Sequence, residues 1–335
     1  MRVLVTGVAG FIGAATAHRL LDRGDEVIGI DNLNDYYDPT LKSARVQQLS
    51  TKGGFEFIKM DCADQTDMAT LFQKGNFDSV IHLAAQAGVR YSLDHPFAYL
   101  EANLNGFLTV LEGCRHHAIK HLVYASSSSV YGSNEKLPFS VEDSVDHPIS
   151  LYAATKKSNE QMAHVYAHLF GVPSTGLRFF TVYGPWGRPD MALFKFVQSI
   201  LNGEPISVFG EGQQTRDFTF IDDIVEGILR TLDQPATPNP NWDAASPDPG
   251  SSSDPWRVYN IGGGQPVPLP DFISCIETCL GQKARVNLLP MQPGDVRHTK
   301  ADVQALHDAV GYTPTTSVEI GVPRFVEWYR AYYGV

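Results

Sequence analysis

Short runs of apolar residues alternate with longer amphipathic segments through the first half of the chain. The run Val3-Leu4-Val5 has the length of a buried strand, and residues 11–23 form an amphipathic helical segment that ends at Gly24. Because strand–helix–strand connections are right-handed, a continuing alternation predicts an α/β protein with a doubly wound parallel sheet. Further strands are predicted at residues 26–30, 55–58, 79–83, 121–125 and 174–179, and helices include residues 99–116 and 151–170.

Composition narrows the classes of function. The 335 residues carry a formal net charge of −11, whereas a nucleic-acid surface needs clustered Lys and Arg. No apolar run reaches the roughly 18–20 residues that span a bilayer. The first residues enter a strand without a secretory leader, so we expect a cytoplasmic protein with no membrane partner. The four cysteines match no zinc or redox spacing, and no metal site is expected.

Three glycines follow the first strand and precede the first helix. Gly7, Gly10 and Gly13 spell G-x-x-G-x-x-G, in which the first two allow a tight turn and close approach of the backbone to a pyrophosphate. The N–H groups of Phe11 and Ile12 would point at the phosphates from the helix N-terminus. The position of this motif between a strand and a helix predicts a dinucleotide site.

Asp31 ends the second predicted strand. A carboxylate there accepts hydrogen bonds from the adenosine ribose hydroxyls and repels a 2′-phosphate, which favours NAD over NADP. Residues that follow the third and fourth strands should border the same cofactor. They are Asp61, Cys62, Leu83, Ala84, Ala85 and Gln86.

The second half of the chain has denser glycines, prolines and short elements. Residues 235–255 are rich in Pro, Ser, Asp and Asn, which predicts an exposed, mobile loop. We expect residues 1–178 to form the NAD-binding domain, with returning segments near 214–235 and 256–262. Residues 179–335 should then be mainly a smaller α/β region that binds the substrate.

Tyr152 and Lys156 lie four residues apart, on one face of the predicted helix 151–170. A phenol has a pKa of about 10, so it is a poor base at neutral pH unless positive charge lowers that pKa. We expect Lys156 and an oxidised nicotinamide to supply the charge. Four serines at residues 126–129 follow a strand where α/β proteins bind ligands, and can hydrogen-bond to a sugar hydroxyl or a carboxylate.

The glycine loop, Asp31, the serines and the Tyr152–Lys156 pair together resemble the extended short-chain dehydrogenase/reductase superfamily over nearly the whole chain. The resemblance implies a Rossmann-type fold with tightly held NAD, Tyr152 as base and acid, and Lys156 on the nicotinamide ribose. It also implies that Ser127, together with Ser129, bridges the substrate hydroxyl to Tyr152. The other residues expected around the cofactor are Asn32, Asn103 and Val182.

Three segments are similar to those typical of UDP-glucuronate 4-epimerases, namely residues 31–42, 82–92 and 178–190. UDP-galactose epimerases typically carry an Asn-Pro pair in the last segment, where this chain has Phe180-Thr181. The resemblance implies an isomerase that inverts C4 of UDP-glucuronate through a 4-keto intermediate and releases UDP-galacturonate without decarboxylation. It also implies a homodimer formed through the predicted helices 99–116 and 151–170.

Arginines suit an anionic nucleotide sugar, because the planar guanidinium matches phosphate and carboxylate oxygens. The resemblance assigns Arg216 and Arg297 to the UDP and places Arg188 nearer the sugar. Arg90 is the fourth arginine of the expected substrate site.

The 4-keto form of a uronic acid is a β-keto acid, which loses CO2 when the carboxylate bond aligns with the carbonyl π system. The site must therefore hold the carboxylate in a poor orientation for cleavage. Thr181 and the hydroxyls of Ser127 and Ser128 are the candidates to hold it, with Arg188 helping to close the site.

Other functions remain open on the sequence. Within the same chemistry they are a UDP-glucuronate decarboxylase, a UDP-glucose/UDP-galactose 4-epimerase and a dTDP-sugar dehydratase. The dehydratases carry an Asp-Glu pair where this chain has Ser128-Ser129, which argues against elimination of water. A catalytically silent, dinucleotide-sensing scaffold is the alternative from a different class, and the intact Tyr152, Lys156 and Ser127 argue against it.

Overall fold

Parallel strands form the central sheet of the structure, a computed structural model that describes residues 1–335. The chain's strands are β1 Arg2–Thr6, β2 Glu26–Asp31, β3 Phe55–Lys59, β4 Ser79–His82, β5 His121–Ser127, β6 Ser174–Phe179, β7 Thr181–Tyr183, β8 Ile206–Phe209, β9 Thr215–Phe220, β10 Trp256–Ile261, β11 Pro266–Pro268 and β12 Val286–Leu289. Seven of them pair in parallel in the order β10-β6-β5-β4-β1-β2-β3. The predicted fold class is therefore confirmed, and the six predicted strands differ from the observed bounds by two residues at most.

Helices cover both faces of this sheet, as crossover connections require. They are α1 Phe11–Asp22, α2 Pro39–Ser50, α3 Gln65–Gly75, α4 Tyr91–Asp94, α5 Pro96–Tyr99, α6 Gly106–His116, α7 Leu151–Phe170, α8 Ala192–Leu201, α9 Ile221–Leu232, α10 Leu269–Leu280, α11 Gln304–Val310 and α12 Val318–Tyr333. Ser150 fixes the start of α7, because its Oγ accepts a hydrogen bond from the backbone nitrogen of Ala153 at 3.1 Å. Gly171 ends α7 in the left-handed conformation. No helix combines the length and the apolar composition that crossing a bilayer would require.

The predicted helix 99–116 is not one regular helix. A π-helical segment, Leu100–Asn105, separates α5 from α6. A π-helical turn contains one more residue than an α-helical turn, and such turns are frequent at functional sites. Here the segment contains Asn103, which is 1% exposed and hydrogen-bonds to the chain that follows β4.

The second half of the chain packs against the first through one continuous core. That core joins Val5 of β1 to Phe272 of α10 and Val322 of α12. Two small sheets complete the fold, with the orders β11-β9-β7 and β12-β8. Residues 235–255 contain no helix or strand and are largely exposed, as predicted.

Two buried histidines make the fold sensitive to acid. Burial lowers the pKa of His82 to about 3 and that of His121 to about 4. The unfolded chain takes up these protons near pH 6.5 and the folded chain does not, so the free energy of unfolding falls as the pH drops from about 6.5 toward 4.

We expect that His121→Gln makes the free energy of unfolding depend less on pH, by about 1.4 kcal/mol per pH unit. Urea denaturation between pH 6 and 5 measures this dependence. His117→Gln changes an exposed ring and serves as the control; equal slopes in both variants would contradict the prediction.

Candidate active site

A cleft opens at the carboxyl ends of the parallel strands. Gly7 follows β1, Asp31 ends β2, Leu83 follows β4 and Ser127 ends β5, and all four line it. The position is the one where open α/β sheets bind ligands. Its lining extends from the glycine loop to Tyr152 and Arg188, so groups suited to a dinucleotide and groups suited to an anionic substrate share one cleft.

The glycine loop lines one end of the cleft. Gly7 has a φ of +71°, and a Cβ there would come within 2.7 Å of the Ala84 nitrogen, so the turn requires glycine. A Cβ on Gly13 would overlap the Gly7 carbonyl oxygen. No side chain caps the N-terminus of α1, which leaves the first N–H groups of the helix, at Phe11 and Ile12, to an anionic group in the cleft.

Asp31 connects β2 to this loop. Its Oδ2 accepts a hydrogen bond from the Ala9 nitrogen at 3.1 Å, and its Oδ1 accepts one from the Leu33 nitrogen at 2.8 Å. Burial raises the pKa of Asp31, while the two backbone bonds and the nearby charge of Lys42 favour the carboxylate. Each carboxylate oxygen retains acceptor capacity for a ribose hydroxyl.

The other residues predicted around the cofactor line the cleft with one exception. Those in the lining are Gly10, Asn32, Asp61, Cys62, Leu83, Ala84, Ala85, Gln86 and Val182. Asn103 lies behind the wall, where its Oδ1 accepts from the Gln86 nitrogen at 2.8 Å and its Nδ2 donates to Thr155 Oγ1 at 3.0 Å. These bonds hold Gln86 and α7 in place, and the cofactor contact of Asn103 stays a prediction.

Ser127, Tyr152 and Lys156 meet in the cleft, although the serine and the helix are separate in the sequence. Lys156 is 2% exposed, and its Nζ donates to the carbonyl oxygen of Ala125 at 2.9 Å. Since Ala125 belongs to β5, this bond ties α7 to the strand that ends at Ser127. The phenol, the ammonium and the hydroxyl therefore share one rigid wall.

Several groups of the chain act on the protonation of Tyr152. Burial dominates and raises the pKa of the phenol, while a hydrogen bond with Ser127 and the charge of Arg188 act in the opposite direction. Burial brings the pKa of Lys156 down to about 8. Arg188 is therefore a further cation of the chain that favours the phenolate.

Arg188 reaches the cleft from the loop between β7 and α8. Its Nε and Nη2 donate to the two carboxylate oxygens of Asp190 at 2.9 Å and 2.6 Å. Tyr36 also donates to Asp190 Oδ2, at 3.2 Å. The remaining nitrogen, Nη1, has no partner in the chain and is free for an anionic ligand.

Three predicted residues near Ser127 do not line the cleft. Ser128 and Ser129 lie in a 3₁₀ turn, Ser128–Tyr131, where the Ser129 nitrogen donates to Ser127 Oγ at 3.1 Å. Thr181 lines a smaller adjoining cavity, which shares Arg188 with the main cleft. Among the four serines, the cleft is lined by Ser126 and Ser127.

The remaining predicted arginines form a separate group outside the cleft lining. Arg90 Nη2 donates to Asp295 Oδ2 at 2.8 Å, and Arg216 Nη1 donates to the Arg297 carbonyl oxygen at 2.9 Å. Burial lowers the pKa of Arg216, with Asp295 opposing this and Arg90 adding to it, so these charges are close together. The adjacent Gly294 packs against Val89, close to the segment that precedes α4.

Part of the cleft lining was not predicted from the sequence. The additional lining residues are Asn34, Tyr36, Tyr37, Lys42, Met60, Ala87, Ala102, Ala125, Ser126, Phe179, Phe180 and Met191. Tyr36, Tyr37 and Lys42 lie in a segment that carried the family resemblance, so a signal for them existed. Ordinary apolar residues such as Met60 and Met191 offer no chemical signal before the chain is folded.

Comparisons with known proteins agree with this geometry. A profile described as the NAD dependent epimerase/dehydratase family matches residues 3–262. A probable UDP-glucuronate 4-epimerase of Rhizobium meliloti is 51% identical over 99% of this chain and 98% of its own length. The crystal structure of the Bacillus cereus UDP-glucuronic acid 4-epimerase with UDP-glucuronic acid and NAD superimposes with a TM-score of 0.87, at 35% identity, covering 99% of this chain and 100% of that one.

The fold alone does not distinguish between sugars. The UDP-glucose 4-epimerase of Thermotoga maritima, in complex with UDP-glucose, superimposes almost as well, with a TM-score of 0.86 over 99% of this chain and 100% of that one. Its identity is only 28%. Sequence identity, rather than the fold, therefore separates this chain's likeness to UDP-glucuronate 4-epimerases from its likeness to UDP-glucose 4-epimerases. This chain belongs to the NAD dependent epimerase/dehydratase family.

Proposed function

We propose that this protein is an NAD-dependent nucleotide-sugar epimerase that inverts C4 of UDP-glucuronate to give UDP-galacturonate. The observation that carries the proposal is the convergence of Tyr152, Ser127 and Arg188 in one cleft with the glycine loop. Relatives that are 51% and 35% identical to this chain are described as UDP-glucuronate 4-epimerases. An acid–base pair beside a dinucleotide loop suits oxidation and reduction of one alcohol.

The cleft fits NAD by its own geometry. The uncapped start of α1 suits the pyrophosphate, and Asp31 suits the adenosine ribose. When bound, NAD supplies a hydride acceptor for C4 of the sugar and later returns the hydride, so the reaction has no net redox change.

The chain supplies acid–base chemistry and charge. Tyr152 takes the proton of the 4-hydroxyl, directly or through Ser127, and gives it back when the alcohol forms again. Lys156, held by the Ala125 carbonyl, places a buried positive charge beside this exchange. Arg188 favours the phenolate and presents Nη1 to the anionic sugar.

The uronate carboxylate must be held while C4 is a ketone. Ser127 and Arg188 line the cleft, so they are the side chains placed to hold it. Thr181 and Ser128 lie just outside the lining and would act only if the sugar reached beyond it. Arg216 and Arg297 are proposed to bind the diphosphate next to Arg90.

The roles of the two parts of the chain and its oligomeric state are also proposals. We propose that residues 1–178 bind NAD, with help from α9 and β10, and that residues 179–335 mainly bind the nucleotide sugar. α9 packs on α1, where Arg19 pairs with Glu226 at 3.1 Å. A cytoplasmic location remains a prediction from the sequence.

A homodimer through α6 and α7 is supported by apolar side chains that these helices leave exposed. Leu108 is 41% exposed, Val165 47% and Leu169 61%. Burying such side chains against a second copy is favourable, at roughly 25 cal/mol per Å². We expect sedimentation equilibrium to give a dimer that Leu169→Glu dissociates, and a monomeric wild-type protein would contradict the proposal. Ile320→Glu, which changes another exposed apolar residue on α12, is the matched control.

Substrate identity is tested by incubating the protein separately with UDP-glucuronate, UDP-glucose and UDP-galactose and identifying the products by NMR. We expect UDP-galacturonate from the first and little or no change in the others. A UDP-pentose from UDP-glucuronate would indicate the decarboxylase instead. Interconversion of UDP-glucose and UDP-galactose alone would assign the protein to that 4-epimerase activity.

Asp31→Ala is expected to weaken NAD binding by about 10–150-fold, because a hydrogen bond to a charged group contributes roughly 1.5–3 kcal/mol. Removing the carboxylate should also narrow the preference for NAD over NADP, since the repulsion of a 2′-phosphate is lost. Calorimetric titration of cofactor-free protein measures both affinities. Asp67→Ala removes a carboxylate from the first turn of α3 and is the control. Unchanged affinity in Asp31→Ala would contradict the assignment.

A further inference from the structure

Arg45 is a buried cation without an anionic partner. It lies in α2, is 1% exposed and forms no ion pair. Its guanidinium donates only to neutral oxygens, and the Tyr37 hydroxyl accepts one of these bonds at 2.7 Å. A buried charge is costly unless its hydrogen bonds are well satisfied, so the oxygens that Arg45 does contact are informative.

Those oxygens belong to two loops that are far apart in the sequence. Nη1 donates to the Ala9 carbonyl oxygen at 2.9 Å, and Ala9 lies inside the glycine loop. Nη2 donates to the Trp186 carbonyl oxygen at 2.6 Å and to that of Gly187 at 3.3 Å. Trp186 and Gly187 immediately precede Arg188. One planar group therefore sets the separation between the cofactor loop and the loop that carries Arg188.

The loop before Arg188 has a backbone that needs such support. Trp186 has a φ of +64°, in a region that bulky L side chains rarely adopt. Its ring packs on Trp328 and Tyr332 of α12, with centroids 5.2 Å and 5.0 Å away. The aromatic contacts fix the side chain of Trp186, whereas Arg45 holds its carbonyl group and that of Gly187.

We propose that Arg45 is a positioning residue that sets the location of Arg188 in the cleft. Its hydrogen bonds to the carbonyls of Trp186 and Gly187 hold the loop that carries Arg188. Its hydrogen bond to the Ala9 carbonyl connects that loop to the glycine loop. The inference rests on the proposed function, in which Arg188 faces the uronate. Loss of the tether lets Arg188 withdraw, which weakens substrate binding and leaves the 4-keto uronate free to lose CO2.

The test compares Arg45→Lys and Arg45→Met with the wild-type protein. Lysine keeps the charge but cannot span both loops, and methionine removes the charge. For both variants we expect a KM for UDP-glucuronate about tenfold higher, a larger fraction of turnovers that release CO2, and faster hydrogen–deuterium exchange in residues 184–191. The CO2 fraction does not depend on the amount of folded enzyme, so partial unfolding does not imitate the effect.

Arg230→Lys is the matched control. Arg230 also donates to a backbone carbonyl, that of Gly311 at 3.0 Å, but it is exposed and distant from the cleft. It should keep wild-type values in all three measurements. If Arg45→Met does not fold, Arg45→Lys carries the test, because it keeps the buried positive charge and removes the simultaneous bonds to both loops.

A wild-type KM and CO2 fraction in Arg45→Lys would overturn the proposal. Faster exchange with both of those values unchanged would overturn it as well, because the loop would then loosen without moving Arg188. Failure of the wild-type protein to convert UDP-glucuronate would instead count against the proposed function. The exchange measurement needs no substrate, so the tether itself would still be tested.

Discussion

Tyr152→Phe is expected to lower kcat by about 10³-fold, because a positioned acid–base group typically contributes 10²–10⁴-fold. Phenylalanine keeps the ring and its packing against Tyr99, whose centroid is 6.0 Å away, and removes only the hydroxyl. NAD affinity should stay within about twofold of wild type, since the glycine loop and Asp31 are unchanged. Steady-state rates followed by NMR, together with cofactor titration, check both expectations.

Tyr166→Phe is the control for this change. Tyr166 lies on the same helix and donates to Glu112 on the outer side of α7, away from the cleft. Loss of the Tyr166 hydroxyl should leave kcat at the wild-type value. A Tyr152→Phe enzyme that turns over at the wild-type rate would show that another group exchanges the proton. Ser127, whose hydroxyl lowers the pKa of the phenol, would be the next candidate.

Arg188→Lys is the second large effect that we expect. An ammonium cannot both form the two-bond contact with Asp190 and present a free nitrogen to the sugar. The loss of one charge-assisted bond predicts a KM for UDP-glucuronate about 10–150-fold higher. A share of the 4-keto uronate should lose CO2, because its carboxylate is no longer held, and the UDP-pentose formed is measurable by NMR.

Arg324→Lys provides the matched comparison. Arg324 Nη1 lies 2.9 Å from Asp222 Oδ2 in an exposed pair on the protein surface, and such pairs contribute about 0–1 kcal/mol. Its KM and product should equal those of the wild type. If Arg188→Lys forms UDP-galacturonate without any UDP-pentose and keeps the wild-type KM, then Arg188 does not bind the uronate. Ser127 would then be the remaining cleft residue placed to hold the carboxylate.

Local patterns in the sequence were sufficient for the sheet and for the dinucleotide end of the cleft. The turn at Gly7, the start of α1 and the carboxylate at Asp31 depend on contacts between neighbouring residues or adjacent strands. Spacing of four residues on a helix likewise brought Tyr152 and Lys156 together. The identity of the substrate sugar was predicted from the resemblance to a known family, because neither periodicity nor composition indicates it.

Local patterns do not specify the direction in which a side chain points. Asn103 lies in a π-helical turn and hydrogen-bonds to Gln86, outside the cleft lining. Thr181 lines the adjoining cavity. In both cases packing decides where the side chain lies, and contact with the cofactor or the sugar stays a prediction.

The sequence by itself therefore determined the α/β sheet, the dinucleotide loop and the Tyr152–Lys156 pair, because each follows from spacing within one element or between successive elements. Only the tertiary structure decided that Arg188 is held by Asp190 and that Arg45 bridges the Ala9 and Trp186 loops. The physical reason is that Arg45 and Trp186 are 141 positions apart in the chain. Hydrogen bonds over such a separation leave no periodic trace, and they form only when the folded core brings the two loops into contact.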